Sequence, residues 1–141
     1  MYRFFYFLSF ILFFTGCELI TIGTRQVNVS DNIFDYNQKS SIGTIFLFKI
    51  ELDSNNVSAA SDLIAKEDGT KYLAIERYEK YYDIFRMKRM MNNKVLTDYY
   101  VDSLANNKMK YDMEINYRKI LSFTTIKINN LWFISEMGKY E

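Results

Sequence analysis

The sequence predicts an α+β fold in which N-terminal helices pack on an antiparallel sheet, and three observations predict it. Apolar residues recur at helical spacing between Val57 and Met91, they alternate with polar ones at a period of two from Lys94 onward, and asparagine-rich pairs separate the alternating runs. A sheet with one apolar face has to bury it, and the helices are what the chain offers as cover. At 141 residues, with one cysteine and no proline, the chain accommodates one such domain.

The first element is an address. Met1-Tyr2-Arg3 supplies a positive start, Phe4 to Phe14 is an apolar run broken only by Ser9, and Thr15 and Gly16 are small. That is signal-peptide architecture, and the run stops short of the roughly 20 apolar residues needed to cross a bilayer. The single cysteine closes it in Phe14-Thr15-Gly16-Cys17, which resembles a bacterial lipobox, with Phe14 where leucine is commoner. The resemblance implies cleavage before Cys17, a diacylglyceryl group on its sulfur and an acyl chain on its new amino group. Two or more chains hold a protein firmly to a membrane, whereas one does so only marginally. The expected location is the bacterial cell envelope. Removing residues 1–16 leaves 125 residues with 17 positive and 17 negative side chains and no cysteine for a disulfide. Lipid alone would then be the anchor, and the core alone would hold the domain together.

Residues 17–41 read as the lipidated N-terminus and a mostly polar tether, with a short strand around Ile20 to Val29; the domain is expected over 42–141. Ile42 to Leu52 is undecided by its own spacing. Phe46, Phe48, Ile50 and Leu52 alternate as in a strand, whereas Ile42, Ile45, Phe46, Lys49 and Ile50 fit a helix. After the turn Asp53-Ser54-Asn55-Asn56, Val57 to Ala65 is a short helix ended by Asp68-Gly69. Thr70 to Met91 is the longest helix, with Thr70 as cap, Ala74, Tyr78, Tyr81 and Phe85 as apolar stripe, and Lys88 and Arg89 near its negative pole. Val95 to Leu104 and Lys108 to Arg118 are two strands. In the second, Met109, Tyr111, Met113, Ile115 and Tyr117 share one face and the charged residues the other. Ile120 to Ile128 and Leu131 to Met137 form a hairpin through Asn129-Asn130, whose residues tolerate positive φ.

Four stretches carry a second resemblance: Ile45 to Asp53, the alanine-bearing helix after it, Lys71 to Glu79, and Ile126 to Ile134 with Trp132. Together, over about 100 residues, they resemble the nuclear-transport-factor-2-like (cystatin-like cone) domains of bacterial lipoproteins. The resemblance implies that Ile42 to Leu52 is a helix, that the sheet curves as a cone around the helices, and that dimerisation through the open sheet face is an option. Cone domains often leave an apolar pocket and host isomerases, dehydratases, hydrolases and many non-enzymes, so the fold does not specify function.

Composition removes much chemistry. Without histidine there is no imidazole base, no Ser-His-Asp or Cys-His nucleophile and no dehydratase-type His-Asp pair. A net charge of +1 gives nucleic acid no electrostatic foothold, and neither a glycine-rich phosphate loop nor metal-ligand spacing is present, so no cofactor and no metal are expected. What remains is a carboxylate with tyrosines. Asp98 and Asp102 share a strand side with Leu96, Tyr100 and Leu104, and a desolvated Asp98 could act as a base, although a face that is solvated or lies at the sheet edge is the default reading. Asp112 and Glu114 read as a solvated, cross-strand-paired face. Tyr78, Tyr81, Phe85, Tyr111, Tyr117 and Trp132 are the candidate pocket residues, against plain core filling. Arg77, Arg86, Arg89, Lys80 and Lys88 give the long helix a cationic side, by default solvated. The expectation is a non-enzymatic, lipid-anchored protein that binds a small apolar ligand or an envelope protein. The alternative is an isomerase or hydrolase using Asp98.

Overall fold

The computed structural model describes residues 25–28 and 35–139. The elements are β1 (Arg25–Asn28), α1 (Ser41–Asp53), α2 (Val57–Asp62), α3 (Ala74–Met91), β2 (Leu96–Ala105), β3 (Lys108–Ile115), β4 (Lys119–Ile128) and β5 (Leu131–Lys139). The strands form one open antiparallel sheet in the order β1-β2-β3-β4-β5, so the α+β expectation holds. Signal segment, Cys17 and most of the tether lie outside the described residues. β1 falls inside the strand expected around Ile20 to Val29, and by pairing with β2 it shortens the stretch between Cys17 and the domain to the eight steps from Cys17 to Arg25.

Ile42 to Leu52 is helical. α1 starts at Ser40, whose side chain accepts the Gly43 N–H at 3.0 Å. A Cβ at Gly43 would lie 2.4 Å from the Asp35 carbonyl oxygen and 2.8 Å from that of Asn37, so the close approach of the entering chain requires glycine there. Thr44, Ile45, Phe46, Phe48 and Leu52 are all buried. A helix sunk this far into a core is apolar on most of its sides, which is why its periodicity decided nothing.

α2 is shorter than expected, because Leu63 to Ala65 leave the helix to join the sheet edge. The Ile134 N–H donates to the Leu63 carbonyl and the Ala65 N–H to the Ile134 carbonyl, both at 2.9 Å. The loop that follows turns at Gly69, φ +83°, a left-handed conformation that favours glycine. Thr70 does not cap α3. Its N–H and hydroxyl are both given to Asp68, at 2.8 and 2.7 Å, and the helix begins four residues later, where Glu76 accepts the Leu73 N–H at 2.8 Å.

The buried face of α3 is Ile84, Met87 and Met91. The expected stripe lies about one residue, or 100°, round the helix from it, and Tyr78 and Phe85 are exposed. β3 ends at Ile115. Asn116 and Tyr117 form the next turn with φ of 50° and 58°, and Tyr117 is 82% exposed instead of facing the core. Asn129 and Asn130, at 49° and 66°, make the expected tight hairpin.

Between the helices and the sheet lies one core: Ile45, Phe48 and Leu52 of α1, Ile84, Met87 and Met91 of α3, and Leu96, Tyr99, Tyr111, Met113, Ile115, Leu121, Phe123 and Ile134 of the strands. Phe48 meets Phe123 edge-on with centroids 6.4 Å apart. A smaller cluster of Ala65, Ile126 and Phe133 sits on the other side of the sheet, where Lys71 Nζ stands 4.7 Å above the Phe133 ring.

Candidate functional site

A cleft of about 510 Å³ opens beside β5. Its walls come from three places: Ile64 to Asp68 and Tyr72 of the connection between α2 and α3, Lys80 and Asp83 of α3, and Ile134 to Met137 of β5. The geometry follows from the early end of α2. Once Leu63 to Ala65 pair with Ile134, the loop must double back to reach α3, and the space between loop, helix and strand is left open. β5 is the last strand of the sheet, and among the described residues no strand pairs with that edge beyond Ile134. The edge therefore offers backbone donors and acceptors along one wall.

Tyr72 stands at the centre. Lys66 Nζ lies 5.6 Å and Lys80 Nζ 5.5 Å from its ring centroid, within cation–π range. Lys66 donates to Glu76 Oε1 at 2.7 Å, so the two ends of the loop are held together across the helix start. That hydrogen bond raises the Lys66 pKa and, with the Leu73 N–H, lowers that of Glu76. Asp68 is likewise lowered by the Thr70 hydroxyl and N–H. All three shifts move away from neutrality, so none of these groups is poised to exchange protons near pH 7. The cleft mixes both signs of charge, with Ile64, Ile134 and Met137 as its apolar share. Such a surface suits recognition. Among the described residues no group of three or more His, Cys, Asp or Glu side chains is placed to hold a metal ion.

The candidate pocket residues do not converge. Tyr78, Tyr81 and Phe85 meet one another, with Tyr78 stacked on Tyr81 at 4.8 Å and Tyr81 edge-on to Phe85 at 6.5 Å, but Tyr78 and Phe85 are exposed and Tyr81, half-buried, packs against the edge of the core. Tyr111 is in the core, where burial raises its pKa against the opposing hydrogen bond with Ser41. Ser41 in turn bonds Thr125, whose hydroxyl donates to the Met109 carbonyl at 3.2 Å. This is a satisfied buried polar chain, and core structure is its role. Trp132 is half-buried beneath Lys127, and Tyr117 is at a turn tip.

Asp98 is 6% exposed and pairs with Asn28 of β1, so it is neither solvated nor at the sheet edge, while Tyr100, Asp102, Asp112 and Glu114 on its side are half-buried. A bulge between Leu96 and Asp98 also breaks the side it was expected to share. Leu96 pairs with Ile115 on the core face, while Asp98 pairs with Glu114, Tyr100 with Asp112 and Asp102 with Lys110 on the opposite face. Asp98 accepts the N–H of Tyr99 at 2.8 Å, and the Tyr99 ring lies on the other side of the sheet, beside Tyr111.

Sequence reasoning missed Tyr72, Lys66 and the β5 edge, and read Lys80 only as part of a solvated cationic side. The available signal was Asp68-Gly69, which marks a turn close to a tyrosine and two lysines. Comparison with known proteins returned no match to any family model, curated protein or solved structure.

Proposed function

We propose that the chain is a non-enzymatic, lipid-anchored binding protein of the bacterial cell envelope, with a nuclear-transport-factor-2-like cone domain that takes a protein segment in the cleft beside β5. The lipobox-like Phe14 to Cys17 supports the anchor. The order of helices before an antiparallel meander, and the helical state of Ile42 to Leu52, support the family reading. The observation that carries the binding role is the cleft itself: an ionic groove walled by a sheet edge with which, among the described residues, no strand pairs beyond Ile134. Added strands bind such edges by main-chain hydrogen bonds while flanking side chains select among them. A small apolar ligand is less well served, because Phe48, Met87, Met113 and Phe123 fill the space between helices and sheet.

Two measurements test this. Cys17→Ser should abolish acylation and release the protein from the membrane fraction; an unprocessed variant that stays membrane-bound refutes the anchor. A photo-crosslinking side chain at Lys80 or Met137, in living cells, should give discrete protein adducts that the same group at Leu104, exposed at the end of β2, does not. Equal labelling at all three positions refutes the cleft as the binding surface.

A further inference from the structure

α3 is apolar on two opposite sides. Ile84, Met87 and Met91 enter the core, while Ile75 (78% exposed), Tyr78 (73%), Tyr82 (70%) and Phe85 (45%) face outward. At 3.6 residues per turn the four outward residues and the exposed Arg89 fall within about 80° of one another, opposite the buried face. Exposed Arg86 and Glu79 flank them. A soluble surface does not ordinarily gather its large apolar side chains this way.

The chain length puts a membrane within reach of the domain once Cys17 is acylated. Cys17 is eight residues before Arg25, which is already paired in the sheet, and eight residues span at most about 28 Å. A domain of this size has a radius of gyration of about 13 Å and hence a diameter near 34 Å. The link is shorter than the domain is wide, so an acylated Cys17 holds the domain within about 28 Å of the bilayer surface. Tyrosine, phenylalanine and arginine suit the headgroup region, where an aromatic body is buried and a polar or charged end stays wet. A second copy is the less favoured occupant. The stripe runs for only two heptads, and pairing it with itself would sink Arg89 and two tyrosines into a seam.

We propose that the α3 face formed by Ile75, Tyr78, Tyr82 and Phe85, with Arg86 and Arg89 beside it, lies on an anionic lipid surface, that of the bilayer in which Cys17 is anchored. The proposal rests on the anchored reading above. Arg86 and Arg89 supply the charge that such a surface attracts, offset in part by Glu79 on this side and by Asp83, which Arg86 reaches at 3.8 Å.

The full acylated protein, reconstituted into vesicles of phosphatidylglycerol and phosphatidylcholine, provides the test. A nitroxide is attached to Tyr82→Cys or, separately, to Leu104→Cys, since an acylated Cys17 has no free thiol. The expected result is one label per chain, with position 82 at least several-fold more accessible to oxygen, relative to a water-soluble nickel complex, than position 104. Phosphatidylcholine alone should reduce that contrast. One label per chain with equal accessibilities refutes the face while leaving the anchor intact. Dipolar coupling between position-82 labels without lipid contact refutes it in favour of a second copy. Two labels per chain mean a free Cys17, which overturns the anchor and this proposal together. Tyr78→Cys, labelled in the same way, gives an independent reading should Tyr82→Cys fold poorly.

Discussion

Alanine at Ile45, Phe48 and Ile50, introduced one at a time, separates the helical α1 from the strand that its sequence equally suggests. On a strand, Phe48 and Ile50 share a face and Ile45 lies on the other. On the helix, Ile45 and Phe48 are both fully buried, three residues apart, while Ile50 is 38% exposed. Phe48→Ala removes the ring that meets Phe123 and leaves a cavity bordered by packed side chains, at a cost of about 3–5 kcal/mol; Ile45→Ala costs about 2–5 kcal/mol for the same reason. Ile50→Ala gives up less burial and gains slightly in helix propensity, so its cost stays below about 1 kcal/mol. A domain of this size is stable by roughly 5–15 kcal/mol, so the first two changes are large fractions of the total. Urea denaturation of the chain from Glu18 onward, followed by far-UV circular dichroism, should give midpoints well below the parent for Ile45→Ala and Phe48→Ala and one close to it for Ile50→Ala. A costly Ile50→Ala beside a silent Ile45→Ala would overturn the placement of α1.

Other outcomes are equally direct. Gly69→Ala should destabilise by about 1 kcal/mol because φ there is +83°, whereas Gly138→Ala, with open space around the new methyl, should not; thermal melts compare them. Glu76 and Asp68 have folded pKa values below their unfolded ones, so each contributes stability that is present above about pH 4 and lost as pH falls through the folded value. Glu76→Gln and Asp68→Asn should therefore flatten the acid side of the melting-temperature profile, and an unchanged acid limb refutes the assignment. Lys66 has the opposite sign, its contribution persisting at neutral pH and fading only as pH rises through a value above 10.5. Tyr111→Phe should remove a tyrosine that ionises above the ordinary phenol range in an ultraviolet pH titration, since burial raises its pKa.

Much of the fold was legible because its signals are local. β3 alternates cleanly from Lys108 to Ile115, and the Asn129-Asn130 turn declares itself through residues that accept positive φ. Misreadings arose where a specific hydrogen-bond partner or a bulge overrode the local pattern. Asp68 claims the Thr70 hydroxyl, so the helix start moves to Ala74. Ile134 pairs with the chain at Leu63 to Ala65, so α2 ends at Asp62. One extra residue between Leu96 and Asp98 sends Asp98 to the face opposite Leu96, which no alternation rule detects in a sequence without an obvious bulge signal.

α3 shows why the candidate site was harder to read than the fold. Its outward residues satisfy helical spacing as well as its buried ones do, and a periodicity argument has no means of ranking two apolar stripes on one helix. The ranking comes from length. α3 enters the core through Ile84, Met87 and Met91 in its second half, while its first half meets α2 through the Arg77–Asp62 ion pair and runs on beside the loop and β5. The residues freed by that overhang divide between two surfaces. Lys80 and Asp83 turn toward the cleft; Ile75, Tyr78 and Tyr82 turn away from it. If Cys17 holds the domain against lipid and the outward stripe rests on it, the cleft faces away from the bilayer or along it, where a protein segment can enter. Charge reversal at Arg86 and Arg89 should then reduce lipid contact at position 82 without changing crosslinking from position 80. A change in both together would mean that the two surfaces are one.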